Sequence, residues 1–204
     1  MGWRITSCLS STKSVLRFWR GSAFNIFYLD TCPYQAAQWH CDKHVRKMIL
    51  ETCQMLVTAR VMKGDLPQGT KYHTYRMRNH PCSIWVRNDL CGFLYASDLL
   101  RALCDEYTYR FGKVHATDAF YFSLPKYDLK KIFPHRRRTK DVPMAVGDHP
   151  LSKDPVEVYR SYYHTKSWDL KWTKRDVPFW YNKEEHECSV SKTLYTEGAE
   201  QTAN

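Results

Sequence analysis

No apolar run in this 204-residue chain approaches the roughly 20 residues that a membrane span requires, so no membrane association is expected. Eight glycines and nine prolines are too few for a linker or a fibrous chain. Neither a G-x-x-x-x-G-K-[ST] phosphate loop nor a G-x-G-x-x-G fingerprint occurs, and no nucleotide cofactor is expected. The cysteines, at 8, 32, 41, 53, 82, 91, 104 and 188, include no C-x-x-C pair. Several sit inside apolar helical patterns, where a thiol behaves as a small hydrophobe; this predicts a reducing compartment and no zinc ribbon. There is no internal repeat.

What is present is apolar residues at 43%, with 14 Tyr, 9 Phe and 7 Trp, enough area for one compact core. Thirty-one Lys and Arg against 21 Asp and Glu give a net charge of +10, which favours polyanionic partners through counterion release. Residues 1–23 carry Arg4, Lys13, Arg17 and Arg20, five serines and no acid. That composition fits a mitochondrial-type targeting segment or an upstream stretch included by a wrong start codon. Domain character begins at Phe24 to Asp30. Residues 182–204 read as a flexible acidic tail.

Between those ends, residues 24–181 are expected to form a single, mainly α-helical domain with a short N-terminal extended segment. Pro33 opens a first helix along which Ala37, Cys41, His44, Met48, Thr52, Met55 and Ala59 recur at helical spacing. Gly64, Pro67 and Gly69 mark a loop. A second, long helix is predicted from Pro81 to a left-handed cap at Gly112, with His80 before it and a bend at Gly92. Residues 124–150 are rich in proline and basic residues. Asp154, Pro155 and Glu157 signal a last helix that closes before Pro178.

His40 and His44 stand at i, i+4, a spacing by which one helical face offers two imidazoles to a metal. Cys41 occupies the place where a zincin has Glu, and no third ligand follows. A packed, hydrogen-bonded His44 and no metal are therefore expected. Lys43, Lys47 and Glu51 follow at i+4 steps, either as a surface ladder worth a few tenths of a kcal/mol or as an amine and acid/base set with Asp42 and His44. The run Asn79-His80-Pro81-Cys82-Ser83 lies at a helix start, where free N–H groups suit an anion and disfavour imidazolium at His80; ordinary capping is the alternative.

Further along, Arg110 either joins Lys113 and His115 on a backbone phosphate or pairs with Glu106 at i, i+4, the latter being favoured. Seven Lys or Arg fall between 126 and 140, including Arg136, Arg137 and Arg138. Arg160, Lys166, Lys171, Lys174 and Arg175 alternate with Tyr159, Tyr162, Tyr163, Trp168, Trp172 and Trp180. Cations mixed with rings suit a nucleic-acid groove. Arg76, Arg78, Asn79, Ser83 and Arg87, around the predicted helix start, complete the expected contacts.

The segments Asn25-Ile26-Phe27-Tyr28-Leu29-Asp30, Cys41-Asp42-Lys43-His44-Val45, Lys47-Met48-Ile49-Leu50-Glu51 and His80-Pro81-Cys82-Ser83 with Trp85-Val86-Arg87 resemble a family of small tailed-bacteriophage proteins. The likeness continues through Asp105-Glu106-Tyr107, Gly112-Lys113-Val114-His115 and Tyr159-Arg160 to Trp180. A more distant resemblance, in Tyr75 to Pro81 and Glu106 to Gly112, is to the pyrimidine-dimer DNA glycosylases. It implies a helical fold that binds damaged duplex DNA, flips a base and attacks the deoxyribose with an amine while a carboxylate assists.

In that family the amine is the free α-amine beside the initial strand. Here the 23-residue extension precedes it, so processing near Phe24 or Asn25 would be needed. His44 aligns roughly with the family's catalytic Glu, so Asp42 or Glu51 would substitute, with Lys43 or Lys47 as fallback amine and His80 positioning phosphate or a proton. The expectation is thus a monomeric, phage-type DNA-binding protein of the host-cell cytoplasm, or of an organelle if residues 1–23 are a transit peptide, acting as a glycosylase or lyase. The alternatives are a non-catalytic DNA-binding or host-takeover protein, and an accessory domain in phage base modification.

Overall fold

The computed structural model describes residues 25–135, 141–146, 152–165 and 170–181. The extension 1–23, Phe24, Arg136, Arg137, Arg138, Lys166 and the tail 182–204 lie outside the described residues. Among the described residues there are seven helices and no strand: α1 Pro33–Trp39, α2 Asp42–Met62, α3 Pro81–Asn88, α4 Leu90–Phe111, α5 Ala116–Ser123, α6 Leu129–Ile132 and α7 Pro155–His164. Residues 25–30 have no regular secondary structure and turn tightly where the Leu29 N–H donates to Phe27 O at 3.0 Å, so the β-rich run leads into the helices without forming a strand. No described helix is long and apolar enough to cross a membrane.

α2 is the central element and packs on α4, α3 and α5, while α1 lies against α4. Its apolar stripe predicts one core-facing side, but from Thr52 to Val61 every residue except Gln54 is buried. A helix enclosed on most sides belongs to the core. Met48, Ile49 and Leu56, all fully buried, each contribute about 2 kcal/mol by leaving water. Arg60 is enclosed too: its Nε donates to Asp65 and its Nη2 to the Pro125 carbonyl at 2.6 Å.

Two long helices expected from periodicity are each broken. The first stops at Trp39, because His40 (ψ 134°) and Cys41 (ψ 159°) are extended, and restarts at Asp42. Breaking a helix strands carbonyls. Here Arg110 binds them, donating to Gln38 O at 2.8 Å and His40 O at 2.9 Å, while the Asp42 N–H donates to Lys171 O at 2.8 Å. His40 and His44 therefore do not share a helix.

The second helix breaks at Asp89, which is extended and whose carboxylate accepts from the Gly92 N–H at 2.9 Å. An N-cap carboxylate satisfies an otherwise orphan donor, so capping and not glycine causes the discontinuity. Gly92 serves instead for close approach, since a Cβ there would lie 2.7 Å from the Trp85 indole. Other terminal signals hold. Gly112 adopts φ 64° at the end of α4, His80 precedes α3, and Asp154 caps α7 by accepting from the Val156 N–H at 3.0 Å, with Pro155 at the first position.

Residues 170–181 form an irregular strap across the α1–α2 junction and the end of α4. Trp172 Nε1 donates to Trp39 O at 2.9 Å, Thr173 Oγ1 to Asp42 at 2.6 Å, and Arg175 to both oxygens of Glu106 at 2.9 and 2.8 Å.

Candidate functional site

The irregular lead-in delivers Asn25 to a buried position between α2, the start of α3 and α7. Its side-chain oxygen accepts from its neighbour Ile26 N–H at 2.8 Å, from Tyr159 OH at 3.0 Å and from Cys82 Sγ at 3.3 Å, and its Nδ2 donates to Ala145 O at 2.9 Å. A side chain satisfied on both its oxygen and its nitrogen fixes the backbone beside it. That backbone N–H donates to Glu51 Oε2 at 3.1 Å.

Glu51 itself is only 8% exposed, and Lys47 Nζ lies 3.2 Å from its other oxygen. Burial pushes its pKa up from the ordinary Glu value, against the opposing pull of Lys47 and the Asn25 N–H. A carboxyl poised this way exchanges a proton nearer neutrality than a surface Glu does. The Lys43–Lys47–Glu51 ladder is thus a surface feature at its first two rungs and an enclosed acid at its third.

The same place adjoins the start of α3. Cys82, which touches Asn25, has its N–H held by His80 Nδ1 at 3.2 Å, making His80 the N-cap. His80 is 2% exposed, and desolvation lowers its pKa to about 4, so the ring is neutral over the physiological range. Burial, and not the helix field that the sequence suggests, is the cause that favours the neutral ring. Ser83 is buried beside it, which removes it from the expected contacts to nucleic acid.

Towards the N-terminal end of α2 opens a cleft of about 520 Å³ lined by Cys41, Asp42, Lys43, Arg46, Lys47, Leu170 and Lys171. Four cationic side chains thus border one concavity, and the Lys47 ammonium joins it to Glu51. Lys171 is one of the cations that the sequence sets among rings, whereas Arg46 was not among the sequence-derived site residues. Arg46 falls at i+3 from Lys43, a spacing that places both on one face; its guanidinium lies over the Phe111 ring at 4.3 Å.

Several expected site residues are instead part of the scaffold. Asp42 accepts from Arg110 at 2.9 Å and from Thr173 N–H and Oγ1 at 3.0 and 2.6 Å, so its oxygens are committed. His44 is packed, stacked on Phe27 at 4.2 Å with Nδ1 2.7 Å from Tyr163 OH, as the packed alternative has it. The Arg110 side chain is wholly buried and donates to Glu106 at 2.6 Å as well as to Asp42 and the two carbonyls. It therefore pairs with Glu106 and cannot reach a phosphate. His115 caps α5 by accepting from the Thr117 N–H at 3.2 Å, and burial lowers its pKa.

Of the remaining expected contacts, Arg76, Arg78, Asn79 and Lys113 are exposed. Arg87 is half-buried and donates to Arg78 O at 2.7 Å. Arg160 is tied to Leu29 O at 3.0 Å and to Asp30 at 3.4 Å. Among the described residues, no three His, Cys, Asp or Glu are grouped so as to hold a metal ion. Comparison with protein-family models, with curated proteins and with solved structures gives no match.

Proposed function

We propose that this is a phage-type DNA base-processing enzyme, a glycosylase or abasic-site lyase working as a monomer on DNA in the host-cell interior. The observation that carries the proposal is the Asn25 main-chain nitrogen at 3.1 Å from Glu51, a buried carboxyl of raised pKa. Between Asp42 and Glu51 as the assisting acid, Glu51 is the one not locked into a guanidinium clamp. An amine at Asn25 would attack C1′ of the deoxyribose, the base would leave from that carbon, and Glu51 would shuttle the protons that the amine and sugar give up. The cleft lysines and Arg46 supply charge for the phosphodiester chain. Lys47 is the second amine beside Glu51.

The test is borohydride trapping on a labelled duplex with one abasic site, using the full chain and a chain starting at Asn25. The Asn25-start form is expected to give a covalent adduct and strand cleavage, with cleavage lost in Glu51→Gln. An adduct from the full chain that vanishes in Lys47→Ala assigns the amine to Lys47. If neither form gives an adduct or cleavage while salt-sensitive DNA binding persists, the enzyme reading falls and a non-catalytic DNA-binding protein stands in its place.

A further inference from the structure

Phe179 is 82% exposed, the most exposed of the large apolar side chains among the described residues. A single exposed apolar residue is ordinary, but this one stands in a group. Its ring meets Trp39 edge to face at 5.7 Å, and Trp39 meets Trp180 in the same way at 6.0 Å. The Arg160 guanidinium lies 4.6 Å from the Trp39 ring, 5.4 Å from Trp180 and 5.9 Å from Phe179. Arg160 is not mobile charge, because Leu29 O and Asp30 hold it. A fixed cation thus sits among three rings, and the outermost ring presents itself to water.

The position of this group relative to the basic cleft follows from the chain. The strap that supplies Leu170 and Lys171 to the cleft also carries Phe179 and Trp180, and it is pinned at Asp42 and Trp39. Trp39 and Asp42 are three residues apart, so their Cα atoms cannot be more than about 11 Å from each other. The backbone at the ring group and the backbone at the cleft are therefore within a few nucleotide lengths of extended strand.

We propose that Phe179, with Trp39 and Arg160 behind it, is a stacking platform for an unpaired nucleobase of a DNA strand whose phosphates lie in the cleft of Lys43, Arg46, Lys47 and Lys171. This rests on the DNA reading above and adds where a base is received. An exposed ring gives sequence-tolerant stacking, worth about 1–3 kcal/mol per base, and the adjacent guanidinium strengthens it. A protein partner of the same apolar character would not need the cations alongside.

The experiment measures binding of the full chain to single-stranded oligothymidylate, and to a base-less deoxyribose-phosphate strand of equal length, in dilute buffer. Phe179→Leu keeps apolar bulk without a π face; Phe179→Trp keeps the face. Phe179→Leu is expected to weaken oligothymidylate binding about 5- to 150-fold, the range equivalent to loss of one stack. Its binding to the base-less strand should not change, and Phe179→Trp should bind both strands as the parent does. Equal affinities for Phe179→Leu and the parent on oligothymidylate overturn the platform while leaving DNA binding intact, as does equal weakening on both strands. Failure of the parent to bind either strand overturns the platform and the DNA reading together.

Discussion

Replacing Glu106 by Gln tests whether one buried carboxylate organises the junction on which the cleft and strap depend. Glu106 is 4% exposed and receives Arg110 Nε at 2.6 Å and Arg175 at 2.9 and 2.8 Å. The substitution keeps the shape but removes the charge, leaving Asp42 as the one carboxylate partner, among the described residues, of a wholly buried guanidinium. Removing one partner of a buried pair costs about 3–5 kcal/mol. Because Asp42 and two carbonyls still hold Arg110, the lower end applies, about 3 kcal/mol. For a chain of this size that is a fall of roughly 6–12 °C in Tm.

Arg175→Gln, by contrast, removes a partly exposed partner and should cost about 1 kcal/mol or less. Arg110→Met should cost more than Glu106→Gln, since it also strands the Gln38 and His40 carbonyls. The assay is urea and thermal unfolding followed by circular dichroism. It carries a pH signature. Burial pushes the Glu106 pKa up, but Arg175 and Arg110 more than offset this and hold it below the ordinary Glu value. Its contribution is therefore present above the unfolded pKa and is lost as pH falls through the lower, folded one. Glu106→Gln should flatten that acid limb. A cost under 1 kcal/mol, or one equal to that of Arg175→Gln, refutes the clamp.

Glu51→Gln should behave in the opposite way, raising Tm at neutral pH while abolishing strand cleavage. The raised pKa means that charged Glu51 burdens the fold, a cost that sets in as pH rises above the ordinary Glu pKa, and the glutamine oxygen still accepts from Asn25. Gly92→Ala should destabilise by about 1–3 kcal/mol through collision with the Trp85 indole, seen as a shift in the urea midpoint. Burial lowers the His40 and His80 pKa values to about 4, so the folded rings stay neutral where the unfolded ones, near 6.5, take up protons. Stability should fall from pH 6.5 towards 4, and His40→Gln should make the slope shallower in pH-dependent denaturation. Lys43→Gln and Lys171→Gln should each reduce the slope of log affinity against log salt by about 1 in DNA titrations, if phosphates occupy the cleft.

The helical class, the caps at Asp154 and Gly112 and the start at Pro81 were legible because each depends on a few adjacent residues. Both helix breaks were hidden for the converse reason. Apolar spacing runs through His40–Cys41 without interruption, and what makes an extended pair tolerable there is Arg110, 68 residues beyond its partner Asp42. Asp89 gave a local signal, a capping acid three residues before Gly92, but the longer stripe masked it. Arg110 itself illustrates the ambiguity of a basic residue in a basic chain. Its i, i+4 Glu was visible in the sequence, whereas burial that removes it from any phosphate was not.

The two candidate acids show how far helical geometry carries and where it stops. Asp42 and Glu51 are nine residues apart, which at about 100° per residue places them on opposite sides of α2. They could never have acted on one substrate atom together, and the sequence alone implied that choice. It did not say which to choose. The decision comes from what each side meets: Asp42 faces Arg110 and Thr173, and its bonds to both hold the junction together. Glu51 faces the Asn25 nitrogen and the Lys47 ammonium, a neutral donor and a partly exposed amine, and no buried guanidinium depends on it. An acid that must change charge during a reaction is better placed where the fold does not depend on that charge, and on α2 only the Glu51 side meets that condition.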